Sequence, residues 1–288
     1  VNVAFFDTMY KMDQDATVLD VVQLSPPLDN RGITGPGVDA DGNIYVTGVF
    51  NVDALVKYSS NYEFIENVTN LTRGFNRAVY AFPDGNTVIL PNYSSQVATI
   101  YSRPDDLTPY DSTGKAFEGM AVESITMHPT SGKIWASAGS PNDVPTGRWT
   151  DSDGNSRLYQ PHTWYEFPVS EVLNNPSPVP QDSIVWNNPD VGRPRAIDFS
   201  PDGMTAYVGE FSLNTAAIQK FTFAGVSVAQ GPQIDGVTLH QNTPNPFRGS
   251  TDITFELDHP ADLRVAVYDV TGREVSVLAS GTYASGSH

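Results

Sequence analysis

Four segments of this 288-residue chain repeat one form: an apolar run, a turn that ends in glycine, and a second apolar run. They read "GPGVDADGNIYVTGVF", "RAVYAFPDGNTVILPNY", "VESITMHPTSGKIWASAG" and "RAIDFSPDGMTAYVGEF", and their turn glycines Gly42, Gly85, Gly132 and Gly203 lie 43, 47 and 71 residues apart. In each unit Asp-Gly or Ser-Gly supplies the positive φ of a tight hairpin, and the residues beyond it alternate, as Ile44 with Val46 or Val88 with Leu90. Third runs follow in "DALVKYS", "QVATIYS" and "AIQKFTFA". Helix should be scarce; "YEFPVSEVLNN" holds the one short candidate, with Ser170 capping and Glu171 in the first turn.

Periods in the forties are those of β-propeller blades, and the third gap fits a blade that carries an insertion. The units resemble the six-bladed and seven-bladed β-propellers of the NHL, gluconolactonase-like and WD-like groups, most clearly at the turns Ser200 to Gly203 and Phe82 to Gly85. That resemblance covers residues 1 to 230 and implies an architecture; function stays open, because the same fold hosts enzymes, binders and scaffolds. The runs "VNVAFFD" and "ATVLDVVQL" read as the outer half of a further blade, completed by strands from the other end of the chain or from upstream.

Composition narrows the partners. Sixteen Lys and Arg stand against 33 Asp and Glu, a formal charge of −17, which opposes binding to phosphate backbones or anionic lipid, so no nucleic-acid partner is expected. No run of 18 or more apolar residues suggests a membrane span, and "VNVAFFDTMYKMDQD" lacks the basic head and apolar core of a signal peptide. Without cysteine, thiol catalysis, disulfides and thiolate metal sites are excluded.

The polar insertion at 139–163 has no clear period and reads as a binding loop. Within it Asp151, Asp153 and Asn155 offer alternate oxygen ligands, as at the start of a calcium loop; the glycine at the fourth place and the lack of a following bidentate Glu leave a solvated turn as the alternative. The similar triplet Asp39, Asp41, Asn43 sits on a blade hairpin and reads as a turn. Calcium is therefore the one cofactor candidate. Among the aromatics, Trp135 and its neighbours read as blade filling, whereas Trp149 is a candidate for stacking on a sugar ring. The histidines never fall two to a helical turn, and His128, in a blade-turn slot, reads as structural. Glu118-Gly119 is similar to the metal-binding glutamate of gluconolactonase-like propellers, but Arg195 stands near where those enzymes carry an asparagine ligand.

The C-terminal stretch "LHQNTPNPFRGSTDITFEL" marks a module boundary. Its prolines stiffen Asn242 to Phe247, and Ile253, Phe255 and Leu257 then alternate with polar residues as a half-buried strand would. Leu263, Val265 and Val267 read as the buried side of a second strand, Gly272 as a hairpin, and Val275 with Val277 as a third strand. Gln241, Asn242, Pro244, Asn245, Pro246 and Phe247, then Tyr268, Asp269, Gly272, Arg273 and Glu274, resemble the C-terminal sorting domain of the type IX secretion system of Bacteroidota-like bacteria. They are also similar to the immunoglobulin-like module of flagellar hook-capping proteins. The resemblance implies secretion and cell-surface machinery as partners and an extracellular or outer-surface location. Three strands cannot close a sandwich, so the module reads as incomplete, from truncation or because a neighbouring copy donates a strand.

The expected fold is thus all-β: a β-propeller of about five blade equivalents over 1–232 with its insertion at 139–163, a linker at 233–240, and a small Ig-like β-sandwich module at 241–288. The expected function is that of a secreted or surface binding or structural protein, with a glycan ligand and self-assembly by strand pairing as its candidate partnerships. The alternative is a secreted propeller enzyme acting on carbohydrate or lactone. Thr8, Ser112 and Ser183 stand in Asp-Ser/Thr-apolar triplets of the kind such bacteria O-glycosylate, and Asn67, Asn70 and Asn92 open Asn-x-Ser/Thr triplets.

Overall fold

The computed structural model describes residues 8–13, 17–24, 35–48, 54–70, 75–140, 143–186, 193–211, 217–223, 236–240, 242, 250–268 and 274–288. The chain divides into two compact units, Val1–Ala224 and Gly225–His288.

In the first unit four antiparallel sheets follow one another, each a meander with its strands in chain order. Sheet I holds Gly37–Val38, Ile44–Thr47, Leu55–Tyr58 and Phe64–Thr69; sheet II holds Tyr80–Ala81, Thr87–Asn92, Val97–Ser102 and Asp111–Ala116. Sheet III holds Ile125–Met127, Ile134–Ser137, Thr163–Phe167 and Asp182–Val185; sheet IV has three strands, Arg193–Phe199, Thr205–Phe211 and Ala217–Thr222. A two-stranded hairpin, Thr8–Met12 with Val18–Gln23, stands before sheet I. The turn glycines Gly42, Gly85, Gly132 and Gly203 all have positive φ, as the repeat requires.

Packing explains why the middle strands read as continuous apolar runs. Every residue of Ile44–Thr47, Leu55–Tyr58, Ile134–Ser137 and Thr163–Phe167 is buried, so both faces of these strands are covered. Met9 and Leu24 of the hairpin pack on Ile44, Val46, Val56 and Tyr58 of sheet I. Sheet I turns Tyr45 and Leu55 toward Val88, Leu90 and Tyr101 of sheet II. Sheet II in turn sets Ile89, Ala98 and Ile100 against Ile134, Ala136, Tyr165 and Phe167 of sheet III. Trp135, Trp164 and Ile184 of sheet III meet Ile197, Ala206 and Val208 of sheet IV. The sheets therefore stack face to face in chain order, as blades do.

Neighbouring first strands also touch. Gly35 forms a parallel bridge with Ala78, receiving Val79 N–H on its carbonyl and donating to Arg77 O, both at 3.2 Å. Gly37 is needed there, because a Cβ would lie 2.9 Å from Ala81 N and 3.0 Å from Val79 O. The first strands of sheets III and IV are in contact as well.

Three details differ from the sequence reading. The insertion contains an antiparallel hairpin, Arg148–Thr150 with Ser156–Leu158, where no period was evident. Its strands are short and mostly exposed, so no alternation marks them. The fourth strands of sheets I to III each bury a single residue, so their apolar residues follow no buried alternation that a pattern search would find. The short helix spans Val169–Asn174 with Pro168 as N-cap and no side-chain cap; Ser170 lies inside its first turn beside Glu171. "VNVAFFD" lies outside the described residues, and the first strand begins at Thr8.

In the second unit Val237–Leu239, Phe255–Leu257 and Gly286–Ser287 form one sheet, and Ala261–Tyr268 pairs with Glu274–Tyr283 in a long hairpin. Phe255 and Leu257 are buried, whereas Ile253 is 37 % exposed, so the buried alternation is shorter than its sequence suggests. Leu263 and Val265 are half-buried, and Val267, Val275, Val277 and Leu278 are exposed.

Candidate functional site

In a meander all the first strands run in one direction, so their starting residues gather at one end of the stack. Counting back from the turn glycine, Arg77 and Arg195 stand eight residues ahead in sheets II and IV, and Glu123 stands nine ahead in sheet III. These equivalent positions of three repeats converge. The Glu123 side chain is fully buried; its Oε2 lies 3.0 Å from Arg77 Nε and is also in contact with Arg195 Nη1. Its backbone is held by Glu123 N–H and Ser124 N–H, which donate to Ser137 Oγ at 2.9 and 3.1 Å.

A second carboxylate joins the group. Asp143, from the insertion, accepts Tyr93 O–H at 3.0 Å and Ser140 O–H at 3.1 Å, and lies 3.4 Å from Arg193 Nε. Arg77 covers the Tyr93 ring at 5.3 Å, and Arg195 lies 5.4 Å from the centre of Phe211, which is 53 % exposed. Three guanidiniums thus face two carboxylates. Burial, and then the charge of Arg77, pulls Arg195 down to about 10; burial likewise lowers Arg77, with the Arg193 charge adding to it. Burial and the hydrogen bond to Asp143 raise Tyr93, so its phenol is the donor. Each guanidinium carries about five N–H donors in a fixed fork, far more than two carboxylates can accept. In a chain of formal charge −17, the result is a local surplus of positive charge and of donors.

Beside this cluster, His162 and Glu210 form a buried pair, Nδ1 to Oε1 at 2.8 Å. Burial raises the Glu210 carboxyl, and the bond to His162 opposes that.

The residues singled out in the sequence are dispersed. Asp151 Oδ1 accepts the N–H of Asp153 at 3.1 Å and of Asn155 at 2.7 Å, and its Oδ2 meets Arg157 Nε at 2.8 Å, so its oxygens serve their own turn. Among the described residues no three His, Asp or Glu side chains converge as a metal site. Trp149 is half-buried and packs on the core between sheets II and III. Trp135 is buried between sheets III and IV. Glu118 is exposed and lines a cleft of about 570 Å³ with Lys115, Gln96 and Arg148. His128 bridges sheets III and IV, its Nε2 2.9 Å from Gly203 O. Thr8 lies on the hairpin and bonds Gln23, while Ser112 and Ser183 are exposed on outermost strands. Asn242 Nδ2 donates to Thr251 Oγ1 at 3.0 Å, and Tyr268 and Glu274 pair across the long hairpin. Gln241, Pro244, Asn245, Pro246, Phe247, Asp269, Gly272 and Arg273 lie outside the described residues. The arginine cluster escaped the sequence reading, although its signal was present: a charged residue at one register position of three repeats.

A scan against protein-family models finds none that matches. A search of curated proteins finds no match either. Among solved structures the chain is similar to a luciferin-regenerating enzyme, with a TM-score of 0.53, 11% identity, and coverage of 78% of this chain and 74% of that one. It is also similar to the Cps50 (Swd1) β-propeller domain of Myceliophteria thermophila, at TM-score 0.43, 12% identity, and coverage of 69% and 58%. A third is the hydrazine synthase of Kuenenia stuttgartiensis, at TM-score 0.46, 13% identity and 84% of this chain; the chain spans about half, 54%, of that protein's length. The fold is all-β and its structural neighbours are β-propellers.

Proposed function

We propose that this is a binding propeller whose ligand is an acidic glycan, held at the arginine cluster. The observation that carries the reading is the convergence of Arg77, Arg193 and Arg195 on only two carboxylates, beside the exposed ring of Phe211. Guanidinium forks match the bidentate geometry of a carboxylate or sulfate, and an exposed aromatic ring offers a platform for a sugar face. The resemblance of residues 241–288 to type IX sorting modules supports export to the cell surface. There an Ig-like module would hold the propeller, and strand pairing along the long hairpin would allow assembly.

The test is a titration of the full chain with D-galacturonate and, separately, with the uncharged methyl β-D-galactopyranoside, followed by calorimetry. Binding of the acid alone, abolished in Arg193→Ala, is the expected result. Equal response to both sugars, or an acid response unchanged in Arg193→Ala, would show that the cluster only ties the sheets together.

A further inference from the structure

Sheet IV ends the stack with an exposed face built like those that the other sheets bury. In sheet I, Tyr45 and Leu55, the partner of Thr47 two residues on, form a diagonal pair packed against sheet II. Ile89 with Ala98 in sheet II, and Trp135 with Trp164 in sheet III, repeat that pair against the sheet that follows. All of these residues are 0 or 1 % exposed. In sheet IV the same diagonal holds Tyr207 and Ile218, the partner of Gly209, and they are 43 % and 76 % exposed. The opposite face of the sheet packs on sheet III through Ile197, Ala206 and Val208. Large side chains left open where three other repeats bury theirs mark a contact surface.

That surface is self-complementary. Cross-strand partners share a face, so Asp198, Tyr207 and Lys220 form one row across the three strands, and Ala196, Gly209 and Ile218 form the next. Ala196, Asp198 and Lys220 are exposed as well. A twofold axis along the middle strand reverses each row. Asp198 of one copy then faces Lys220 of the other, and the bulky Ile218 faces the small Ala196. Sheets commonly stack face to face about 10 Å apart with their strands nearly aligned, and a twofold contact is the commonest way for a chain to meet its own copy. We propose that this face of sheet IV is the interface of a symmetric dimer, its occupant a second copy of this chain selected by the crossed Asp198–Lys220 pairs. The interface uses none of the arginines of the anion cluster and stands or falls without it.

The test is analytical ultracentrifugation of the full chain with charge reversals, alone and mixed. The parent should sediment as a dimer, and Asp198→Lys and Lys220→Asp, each at an exposed position, should keep its melting temperature yet sediment as monomers. Mixed in equal amounts, the two variants should recover the dimer, because the twofold axis sets the lysines of one copy against the aspartates of the other. Recovery on mixing also excludes loss of the fold as the cause of dissociation. A monomeric parent, a dimer or larger species that persists in both variants, or a mixture that stays monomeric would overturn the proposal.

Discussion

The turns Asp39–Asn43 and Asp151–Asn155 share the pattern Asp-x-Asp-Gly-Asn and fold alike, yet their surroundings are opposite. In the first, Asp39 Oδ1 accepts Asp41 N–H at 3.1 Å and Asn43 N–H at 2.9 Å; in the second, Asp151 Oδ1 accepts Asp153 N–H at 3.1 Å and Asn155 N–H at 2.7 Å. Gly42 and Gly154 take φ 80 and 82. Beyond the turn the likeness ends. Asp39 is 7 % exposed, accepts Tyr45 O–H at 3.0 Å and lies 3.7 Å from the buried ammonium of Lys57. Beyond its own turn, Asp151 meets the exposed Arg157. The same local chemistry is a keystone between sheets I and II in one place and a surface ornament in the other, and neighbours outside the turn, Tyr45 and Lys57, make the difference.

Substitution should separate the two turns. The largest effect is expected from Asp39→Ala, which strands the buried Lys57 charge and leaves the Tyr45 hydroxyl with Gly85 O as its remaining carbonyl acceptor; a loss of about 3–5 kcal/mol in urea unfolding is anticipated. A loss below about 1 kcal/mol would mean that Asp39 does no more than hold its turn. Next comes a pair of glycines. A Cβ at Gly85 would lie 2.7 Å from Asp39 Oδ2 at φ 65, whereas one at Gly154, φ 82, meets nothing within 4 Å. Gly154→Ala should cost about 1–2 kcal/mol for backbone strain alone, and Gly85→Ala visibly more. Equal costs would deny that the turns of sheets I and II interlock.

The smallest effect belongs to Asp151→Asn, and it is one of pH. The Asn155 N–H, and then Arg157, hold the Asp151 carboxyl below its ordinary value of 3.8. A lowered carboxyl contributes stability above its unfolded value and loses it as pH falls through the folded one. Parent and variant should therefore differ slightly in melting temperature near neutrality and converge in acid below 3.8. A gap that widens in acid would contradict the assignment.

What the sequence disclosed follows from where side chains go. Turn glycines and two-face-buried strands leave dense local marks, so the repeat, the second strand of each unit and the third strands of sheets I, II and IV were legible, whereas the third strand of sheet III, Thr163–Phe167, lay hidden behind the insertion. Fourth strands such as Asp111–Ala116 lie at sheet edges with one buried residue, and solvent-facing residues carry no period. Arg77, Glu123 and Arg195 each look like an ordinary charge within their own segment. Only alignment of the three repeats on their turns brings them together, because the site belongs to the stack and to no single sheet.

One contact sets where this molecule tolerates change. Gly119 and Gly147 cross so closely that a Cβ on Gly119 would lie 2.1 Å from Gly147 N, while Thr146 N–H and Gly147 N–H both donate to Gly119 O. Tyr159 N–H returns to Gly147 O at 3.2 Å on the far side of the hairpin. The insertion is thus clamped at its root, and residues 151–155 at its tip are exposed or half-exposed. For an engineer the tip is a mounting point: a peptide tag spliced between Asp151 and Asn155 would leave the sheets undisturbed, whereas lengthening the chain by one residue at 147 would pry them apart.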